Sequence, residues 1–380
     1  MASNIGKRSL QIHKKLGGKI AVQSKASLRT RADLSLFYTP GVGAVSSYLA
    51  KHKKEIRDYT IKRNTVAIVS DGSAVLGLGN IGPEGALPVM EGKAMIFKEF
   101  AGIDAFPIVL ATQDVNEIVT TVTNIAPVFG GINLEDISAP RCFEIERRLI
   151  ETLDIPVMHD DQHGTAIVVL AALMNAFKVV KKPLGKATIV IAGAGAAGTA
   201  VAKLLHRYGV GELIVLDSKG ILGTHRHGLT PMKKELVKIS NRRHLQGDIG
   251  VALQGADAIV GVSGPNTIKE AHVQSMAKRP IVFALANPIP EIMPNLAHHA
   301  GAAVVASGRS DFPNQVNNAL VFPGVFRGAL DHGVRQITER MKLNAAKALA
   351  AVVKKPRPDY IIPSVFDKRV VKVVASAIRG

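Results

Sequence analysis

The stretch Ala187–Gly198 (ATIVIAGAGAAG) decides the fold of this chain. Its first half is rich in β-branched residues, which is typical of a buried strand, and it runs directly into the turn Gly193-Ala194-Gly195-Ala196-Ala197-Gly198. The apolar spacing of Thr199–Tyr208 then predicts a helix, and Glu212–Asp217 (ELIVLD) predicts the next strand. Strand, turn, helix and strand in this order predict a βαβ unit of a parallel sheet.

The glycine turn has the pattern G-x-G-x-x-G, which in this context predicts a nicotinamide dinucleotide site. One glycine permits the tight turn, one lets the backbone approach a pyrophosphate, and one allows the helix to pack closely on the strand. The helix N-terminus adds free N–H groups and the positive end of its dipole. Asp217, 19 residues after Gly198, can bond the ribose hydroxyls and repel a 2′-phosphate, which favours NAD. Lys219 and Arg226 leave NADP open, and a glycine turn without a ligand is the alternative.

Predicted strands and helices alternate on both sides of this unit. After it come the strands Ala258–Val262 and Ile281–Ala286 and the helix Thr338–Val353; before it come the strands Thr65–Ser70, Ala105–Leu110 and Ile155–Met158 and the helices Asn116–Thr123, Arg141–Leu153 and Thr165–Val180. Pro107 argues that its strand lies at a sheet edge or starts there. We therefore predict an α/β fold with an α/β domain over residues 1–162 and a Rossmann-like, doubly wound parallel-sheet domain over residues 163–380.

A second G-x-G-x-x-G pattern occurs at Gly77-Leu78-Gly79-Asn80-Ile81-Gly82. Pro83, Gly85 and Pro88 follow it, so we expect neither a long helix nor a completed βαβ unit there. The segment is predicted to be a flexible loop over a ligand, or simply a turn.

Composition narrows the class of protein. Apolar residues make up 47% of the 380 residues, aromatic residues only 4%, and Trp is absent, so the core rests on Val, Ile, Leu and Ala. The single cysteine, Cys142, excludes an intramolecular disulfide and a cysteine metal cluster. The sequence has no uncharged apolar run of about 18 residues, so no membrane span is predicted. Met1–Ile20 lacks the apolar centre of a signal peptide. We expect a cytoplasmic protein that does not enter a membrane.

The net charge of +18 has two interpretations. It indicates an anionic partner, such as nucleic acid, an acidic membrane surface or small polyanionic substrates, or it reflects solvated basic faces. The basic residues are dispersed, without a long basic tail, and we favour the second interpretation. No nucleic-acid partner is expected.

Acidic pairs and two isolated residues are the candidates for chemistry. Glu135-Asp136 and Asp160-Asp161 supply hard oxygen ligands of the kind that Mg²⁺ and Mn²⁺ prefer, although helix capping explains the same spacing and is slightly favoured on spacing alone. Lys93, beside a glycine and between apolar stretches, would be a base if partial burial lowered its pKa, but composition favours a surface lysine. Tyr38 sits at a turn, where a packed tyrosine is commoner than an acid.

Taken together, these motifs resemble those of malic enzymes, in particular the short microbial NAD(P)-dependent type. The resemblance covers nearly the whole chain, in order. The matching stretches are Tyr38–Val42 (YTPGV), Ser70–Gly82 (SDGSAVLGLGNIG), Met90–Lys93 (MEGK), Gly131–Ile137 (GINLEDI), His159–Ala166 (HDDQHGTA), the glycine turn, Ala284–Pro288 (ALANP), Ser307–Pro313 (SGRSDFP) and Gln315–Leu320 (QVNNAL).

The resemblance implies a role for each candidate residue. Lys93 would be the general base on the malate hydroxyl, and Tyr38 would be the acid that protonates C3 of enolpyruvate. Glu135, Asp136 and Asp161 would bind the divalent metal, and Asp160 would be a carboxylate beside them that tunes the site. Asn287 would lie beside the nicotinamide, and Asn317 would contact a substrate carboxylate.

The implied reaction is oxidative decarboxylation of (S)-malate to pyruvate and CO₂ with reduction of NAD or NADP, dependent on Mg²⁺ or Mn²⁺. Relatives imply a homodimer in which a partner's Tyr38 enters the neighbouring cleft. Malolactic decarboxylation to lactate and a non-catalytic anion- or nucleic-acid-binding role on the same fold are the alternatives. One departure is the arginine that longer malic enzymes carry where this chain has Ala74-Val75; we expect backbone N–H groups around Gly77–Gly79 to replace it.

Overall fold

The computed structural model describes residues 2–75 and 77–379. Met1, Leu76 and Gly380, which belong to the predicted domain ranges and to the SDGSAVLGLGNIG motif, lie outside the described residues. Within the described residues, ten strands form a four-stranded sheet in the order β2-β1-β3-β4 and a six-stranded sheet in the order β10-β9-β8-β5-β6-β7. Their bounds are β1 Thr65–Ser70, β2 Asp104–Val109, β3 Gly131–Leu134, β4 Val157–His159, β5 Thr188–Ala192, β6 Glu212–Asp217, β7 Gly220–Ile221, β8 Ala258–Gly261, β9 Ile281–Ala284 and β10 Val304–Ser307.

Helices cover both sheets. Their bounds are α1 Ala2–Leu16, α2 Arg31–Phe37, α3 Val42–Lys51, α4 Ile56–Tyr59, α5 Gly82–Ala101, α6 Val115–Ile125, α7 Arg141–Thr152, α8 Asp160–Val180, α9 Ala196–Tyr208, α10 Pro231–Ile239, α11 Ile249–Leu253, α12 Glu270–Gln274, α13 Pro294–His299, α14 Phe322–Asp331, α15 Glu339–Val352 and α16 Arg369–Ala377.

The second sheet is the predicted doubly wound sheet. Its pairs are parallel except for the short β6–β7 hairpin. The chain leaves β5 toward β6 on one side and returns to β8 on the other, so a crevice opens between β5 and β8 at the carboxyl ends of the strands. The glycine turn follows β5 at this crevice. The α/β fold class is therefore confirmed.

The first sheet has a switch point of the same kind. Its strands are parallel, and β1 lies between β2, which follows it in the chain, and β3. The acidic pairs come directly after β3 and β4. Because parallel strands end at the same sheet edge, this topology brings the two pairs together. The strand containing Pro107 is β2, and it lies at the sheet edge as predicted.

Helix α8 connects the two sheets. It begins at Asp160, five residues before the predicted start at Thr165, and so contains the predicted domain break near residue 163. Val66 of β1, Phe97 of α5, most of α8 and Ile189 of β5 belong to one continuous apolar core. Among the described residues, α8 is the one helix long and apolar enough to cross a membrane, but 72% of its apolar window is buried inside the protein, as in core helices.

The expectation for the segment after Gly82 is wrong. The 20-residue helix α5 begins there and completes a parallel βαβ unit between β1 and β2. Pro83 lies in the first turn, where a helix needs no backbone donor. Pro88 lies inside the helix, although proline in a helix interior removes a backbone hydrogen bond and usually ends the helix.

Candidate active site

Three carboxylates converge at the switch point of the first sheet. One carboxylate oxygen from each of Glu135, Asp136 and Asp161 lies within 4.8 Å of the others. Asp136 has a left-handed backbone (φ 52°), which turns the chain after β3 so that adjacent side chains reach one site. Its N–H donates to Oδ2 of Asp161 at 2.9 Å. Asp160 and Asp161 also lie in the first turn of α8, where the helix dipole favours negative charge.

Burial, together with mutual repulsion, raises the pKa values of the carboxylates in this cluster. Burial raises the pKa of Glu135 to about 7, although the Lys93 ammonium opposes the shift. Burial likewise raises the pKa of Asp160 to about 7, and it raises the pKa of Asp161 with help from the Asp160 charge. Buried carboxylates that repel one another are stabilised by a hard cation. The donor set therefore fits Mg²⁺ or Mn²⁺.

Lys93 is the amine that faces the cluster. It projects from α5, its side chain is 8% exposed, and it forms ion pairs with Glu135 and with Oδ2 of Asp160, the latter at 2.5 Å. Its ammonium lies 4.3 Å from the centre of the Phe322 ring. The surface position favoured by composition is wrong. Burial alone would lower the pKa of Lys93, but Asp160 and Glu135 outweigh burial and raise it, so the expected lowered pKa is also not found.

A cavity of about 990 Å³ contains the Lys93–carboxylate cluster. Its walls come from both sheets and include Lys93, Glu135, Asp161, Asn287 and Asn317. The structure therefore brings seven of the predicted site residues into one cavity, since Asp136 and Ala197 line it too.

Tyr38 is separate from this cavity. It ends helix α2, is 66% exposed, and is not among the cavity's lining residues. No contact within the described chain brings its hydroxyl toward Lys93.

The glycine turn Gly193–Gly198 (the dinucleotide turn) lines a neighbouring cavity of about 750 Å³. Gly193, Gly195 and Asp217 contribute to its wall, while Ala196 begins α9 and Ala197 lines the larger cavity. A Cβ on Gly198 would overlap the carbonyl oxygen of Gly193, which explains the third glycine as a packing requirement.

Asp217 is held by two cations. Its carboxylate accepts from Arg226 at 3.2 Å and from Nζ of Lys233 at 2.6 Å. Burial would raise the pKa of Asp217, but the bond from Lys233 and the backbone N–H of Lys219 lower it. Lys219 and Arg226 were expected near Asp217 from the sequence, but Lys233 was not, because it lies on the separate helix α10.

Two buried glutamates that were not expected from the sequence, Glu146 and Glu291, hold the loops of the site. Glu146, 6% exposed, accepts from the N–H of His159 at 2.7 Å and from the side chains of Gln162 and His163, each at 3.1 Å, so it grips the turn that carries Asp160 and Asp161. Burial opposes ionisation of Glu146, yet His163 and Lys342 lower its pKa to about 2.

Glu291 holds loops of the site at the second sheet. Its two carboxylate oxygens accept from Ser263 N at 2.8 Å and Ala286 N at 3.0 Å, which joins the loops after β8 and β9 beside Asn287. Neither glutamate belongs to a motif that marks it, because each acts on residues that follow other strands.

The loop after β1 does not offer all its backbone donors to the cavity. The N–H of Leu78 donates to Val75 O at 2.9 Å, and the N–H of Val75 donates to Gly79 O at 3.0 Å. Gly77 lines the cavity. The expected replacement for the missing arginine by N–H groups of this loop is thus not available from Leu78.

A dinucleotide turn beside a cavity that holds a buried amine and a carboxylate cluster defines a nicotinamide-dependent oxidoreductase. Comparison with known families narrows this class. The family model "Malic enzyme, N-terminal domain" matches residues 17–150, and "Malic enzyme, NAD binding domain" matches residues 162–379. The chain belongs to the malic enzyme family.

Individual relatives agree over nearly the full length. The chain is 54% identical over 377 residues to an NAD-dependent malic enzyme of Geobacillus stearothermophilus, covering 99% of this chain and 78% of the relative. It is 52% identical over 378 residues to a bifunctional malic/malolactic enzyme of Bacillus subtilis, covering 99% and 92%. The crystal structure of an NAD-dependent malic enzyme from Thermotoga maritima superimposes with a TM-score of 0.95 at 49% identity, covering 98% of each chain.

The dinucleotide turn offers a matched pair of substitutions. Gly198→Ala should lower the free energy of unfolding by roughly 1–3 kcal/mol, because its Cβ overlaps backbone. Gly195→Ala has nothing within 4 Å of its Cβ, so its stability should change by less than about 0.5 kcal/mol, while the methyl group hinders NADH binding at the cavity wall. Urea unfolding and NADH fluorescence titration measure the two effects. Equal stability losses in the two variants would contradict this packing account.

Glu146 should contribute stability that depends on pH. Its folded pKa of about 2 lies below the ordinary glutamate value of 4.5, so the contribution is complete above pH 4.5 and is lost as the pH falls toward 2. Glu146→Gln should lower the free energy of unfolding by roughly 2–4 kcal/mol at neutral pH, with the gap to wild type narrowing below pH 4.5. Urea unfolding at several pH values tests this, with exposed Glu151→Gln on the same helix as control. A gap that stays constant with pH would refute the charge argument.

Proposed function

We propose that this protein catalyses the divalent-metal-dependent oxidative decarboxylation of (S)-malate to pyruvate and CO₂, with reduction of NAD or NADP. One observation carries the proposal: the buried amine of Lys93 and the carboxylates of Glu135, Asp136 and Asp161 share a cavity with the loops that adjoin the dinucleotide turn. Family membership supports the same reaction.

Glu135, Asp136 and Asp161 would hold Mg²⁺ or Mn²⁺. When bound, the ion supplies Lewis-acid polarisation of the C2 oxygen and offsets negative charge during decarboxylation. The mutual distances of the three carboxylates and the burial of Glu135 and Asp136 support this assignment.

The side chains of this chain would handle the protons. Lys93 is held as an ammonium while it faces the carboxylates alone, and a cation on Glu135, Asp136 and Asp161 would weaken the attraction that retains its proton. The neutral amine would then take the proton of the C2 hydroxyl as hydride passes from C2 to the nicotinamide, and Asp160, 2.5 Å from its Nζ, would fix the amine in position. Asn287 would orient the nicotinamide end of the cofactor, and Asn317 a substrate carboxylate. After CO₂ leaves, Tyr38 would protonate C3 of the enolate to give pyruvate.

The cofactor preference we propose is NAD, with NADP accepted less well. Asp217 lies at the end of β6 and repels a 2′-phosphate. Arg226 and Lys233, which hold that carboxylate, are cations that a 2′-phosphate would attract. Lys219 lies beside them in the chain.

A homodimer is the assembly we propose. Exposed apolar side chains surround Tyr38 on α2 and α3: Leu34, Leu36, Phe37, Val42, Val45 and Tyr48. Tyr38 does not line the cavity of its own chain. Association of two copies through this surface would cover the apolar residues and bring a partner's tyrosine to each cavity.

The malolactic reaction is the second candidate because the Bacillus subtilis relative is named a bifunctional malic/malolactic enzyme. It would use the same residues but retain the hydride and release lactate. Nucleic-acid binding lacks comparable support. A cytoplasmic location, a division into residues 1–162 and 163–380, and the absence of membrane and nucleic-acid partners remain parts of the proposal.

The direct test follows reduced cofactor with malate, Mn²⁺ and NAD or NADP. Lys93→Ala should lower turnover by roughly 10²–10⁴-fold, because the proton acceptor is removed, while NADH binding persists. Lys98→Ala, an exposed lysine on the same helix, is the control and should retain activity. Lactate without net reduced cofactor would favour malolactic chemistry, and near-normal turnover by Lys93→Ala would exclude it as the base.

Complementation tests the shared active site. Lys93→Ala and Tyr38→Phe should each be weakly active, but hybrids of the two carry one intact site if the tyrosine comes from the partner. Random pairing should restore about one quarter of wild-type activity in the mixture, and hybrids selected through both tags should have about one half. Chains co-expressed with different tags and purified together give the measurement. Activity that remains at the level of the parents would mean that Tyr38 serves its own chain or none.

A further inference from the structure

We propose that Lys19 binds the malate carboxylate remote from the hydroxyl-bearing carbon. This rests on the proposed function. The observation behind it is that Lys19, which follows α1, lines the same cavity as Lys93 and the carboxylate cluster.

The segment after α1 is fastened to α5 beside Lys93. The backbone N–H of Lys19 donates to Oε2 of Glu91 at 3.2 Å, and its Nζ donates to the carbonyl oxygen of Pro88 at 2.5 Å. Gly92 leaves room for this approach, since a Cβ there would lie 3.5 Å from Nζ of Lys19. The ammonium of Lys19 is therefore positioned along the helix that carries the catalytic amine.

Charge explains why the cavity needs this lysine. Among the described residues, the lysine and arginine side chains that line it are Lys19 and Lys93. Lys93 is already paired with Glu135 and Asp160. Malate is a dianion. A cation held by the carboxylate cluster would bind the end of malate that carries the hydroxyl group. The other carboxylate requires a second positive group.

Lys19 has the capacity for that contact. An ammonium carries three donors, and Pro88 takes one of them. Partial burial lowers the pKa of Lys19, against the attraction of Glu91, because the ammonium has lost part of its water. An arriving carboxylate would replace that water with a charged acceptor.

The proposal is tested by comparing ligands with and without the remote carboxylate. In Lys19→Met, the KM for malate should rise roughly ten- to hundredfold, the loss expected for one charged hydrogen bond. The KM for NAD should stay within about twofold, and so should inhibition by oxalate, which has no carboxylate at that position. Lys19→Arg should recover most of the malate affinity. Lys15→Met, an exposed lysine in the last turn of α1, is the control.

Binding measured without turnover separates this proposal from the reaction. Calorimetry of malate with Mn²⁺ and NADH should show the same selective loss for Lys19→Met. Unchanged malate affinity, or equal losses for malate and oxalate, would overturn the assignment of Lys19. If wild-type protein binds malate through Lys19 but forms neither pyruvate nor lactate, the proposed function fails and the Lys19 assignment stands. If wild type binds no malate, both fail.

Discussion

Burial of several carboxylates around one amine is the constraint on which this structure depends. Glu135, Asp160 and Asp161 lose water and face one another, and their pKa values are raised as a result. Lys93 neutralises part of this charge and is in turn held as an ammonium by it. An arrangement of this kind is unfavourable for folding unless further positive charge enters it. The proposed divalent cation would supply that charge, so the energetics of the site support the proposal independently of substrate chemistry.

The topology makes such crowding possible. Parallel strands end at one edge, so β3 and β4 deliver their acidic pairs side by side without a long loop. Helix α8 starts inside the cluster and continues into the core beneath the second sheet. Glu146 fastens its first turn through His159 and Gln162. Helix α8 therefore joins the carboxylate cluster to an apolar core that both sheets share.

The sequence predicted the features that are local in the chain. The strand–turn–helix at Gly193, the β6 strand and the edge position of Pro107 were all confirmed because spacing and backbone chemistry determine them. Helix α5 was missed because its prolines were weighed without tertiary packing, which stabilises the helix around them. The burial of Lys93 could not be predicted from composition, since it arises from partners 42 and 67 residues away in the chain. Motif resemblance, rather than spacing, selected it.

The contact between the two halves of the cavity is a backbone contact. A Cβ on Gly77 would overlap the carbonyl oxygen of Asn287, so the loop after β1 touches the loop after β9 directly. Glu291 holds that second loop by a carboxylate bonded to Ser263 and Ala286. Transfer of hydride requires the reacting atoms to approach within about 3–3.5 Å, a distance that mobile side chains define poorly. Because Gly77 has no side chain and Glu291 holds the loop that carries Asn287, backbone atoms set the distance between the loops after β1 and β9. The precision of the site therefore depends on residues that take no part in the chemistry.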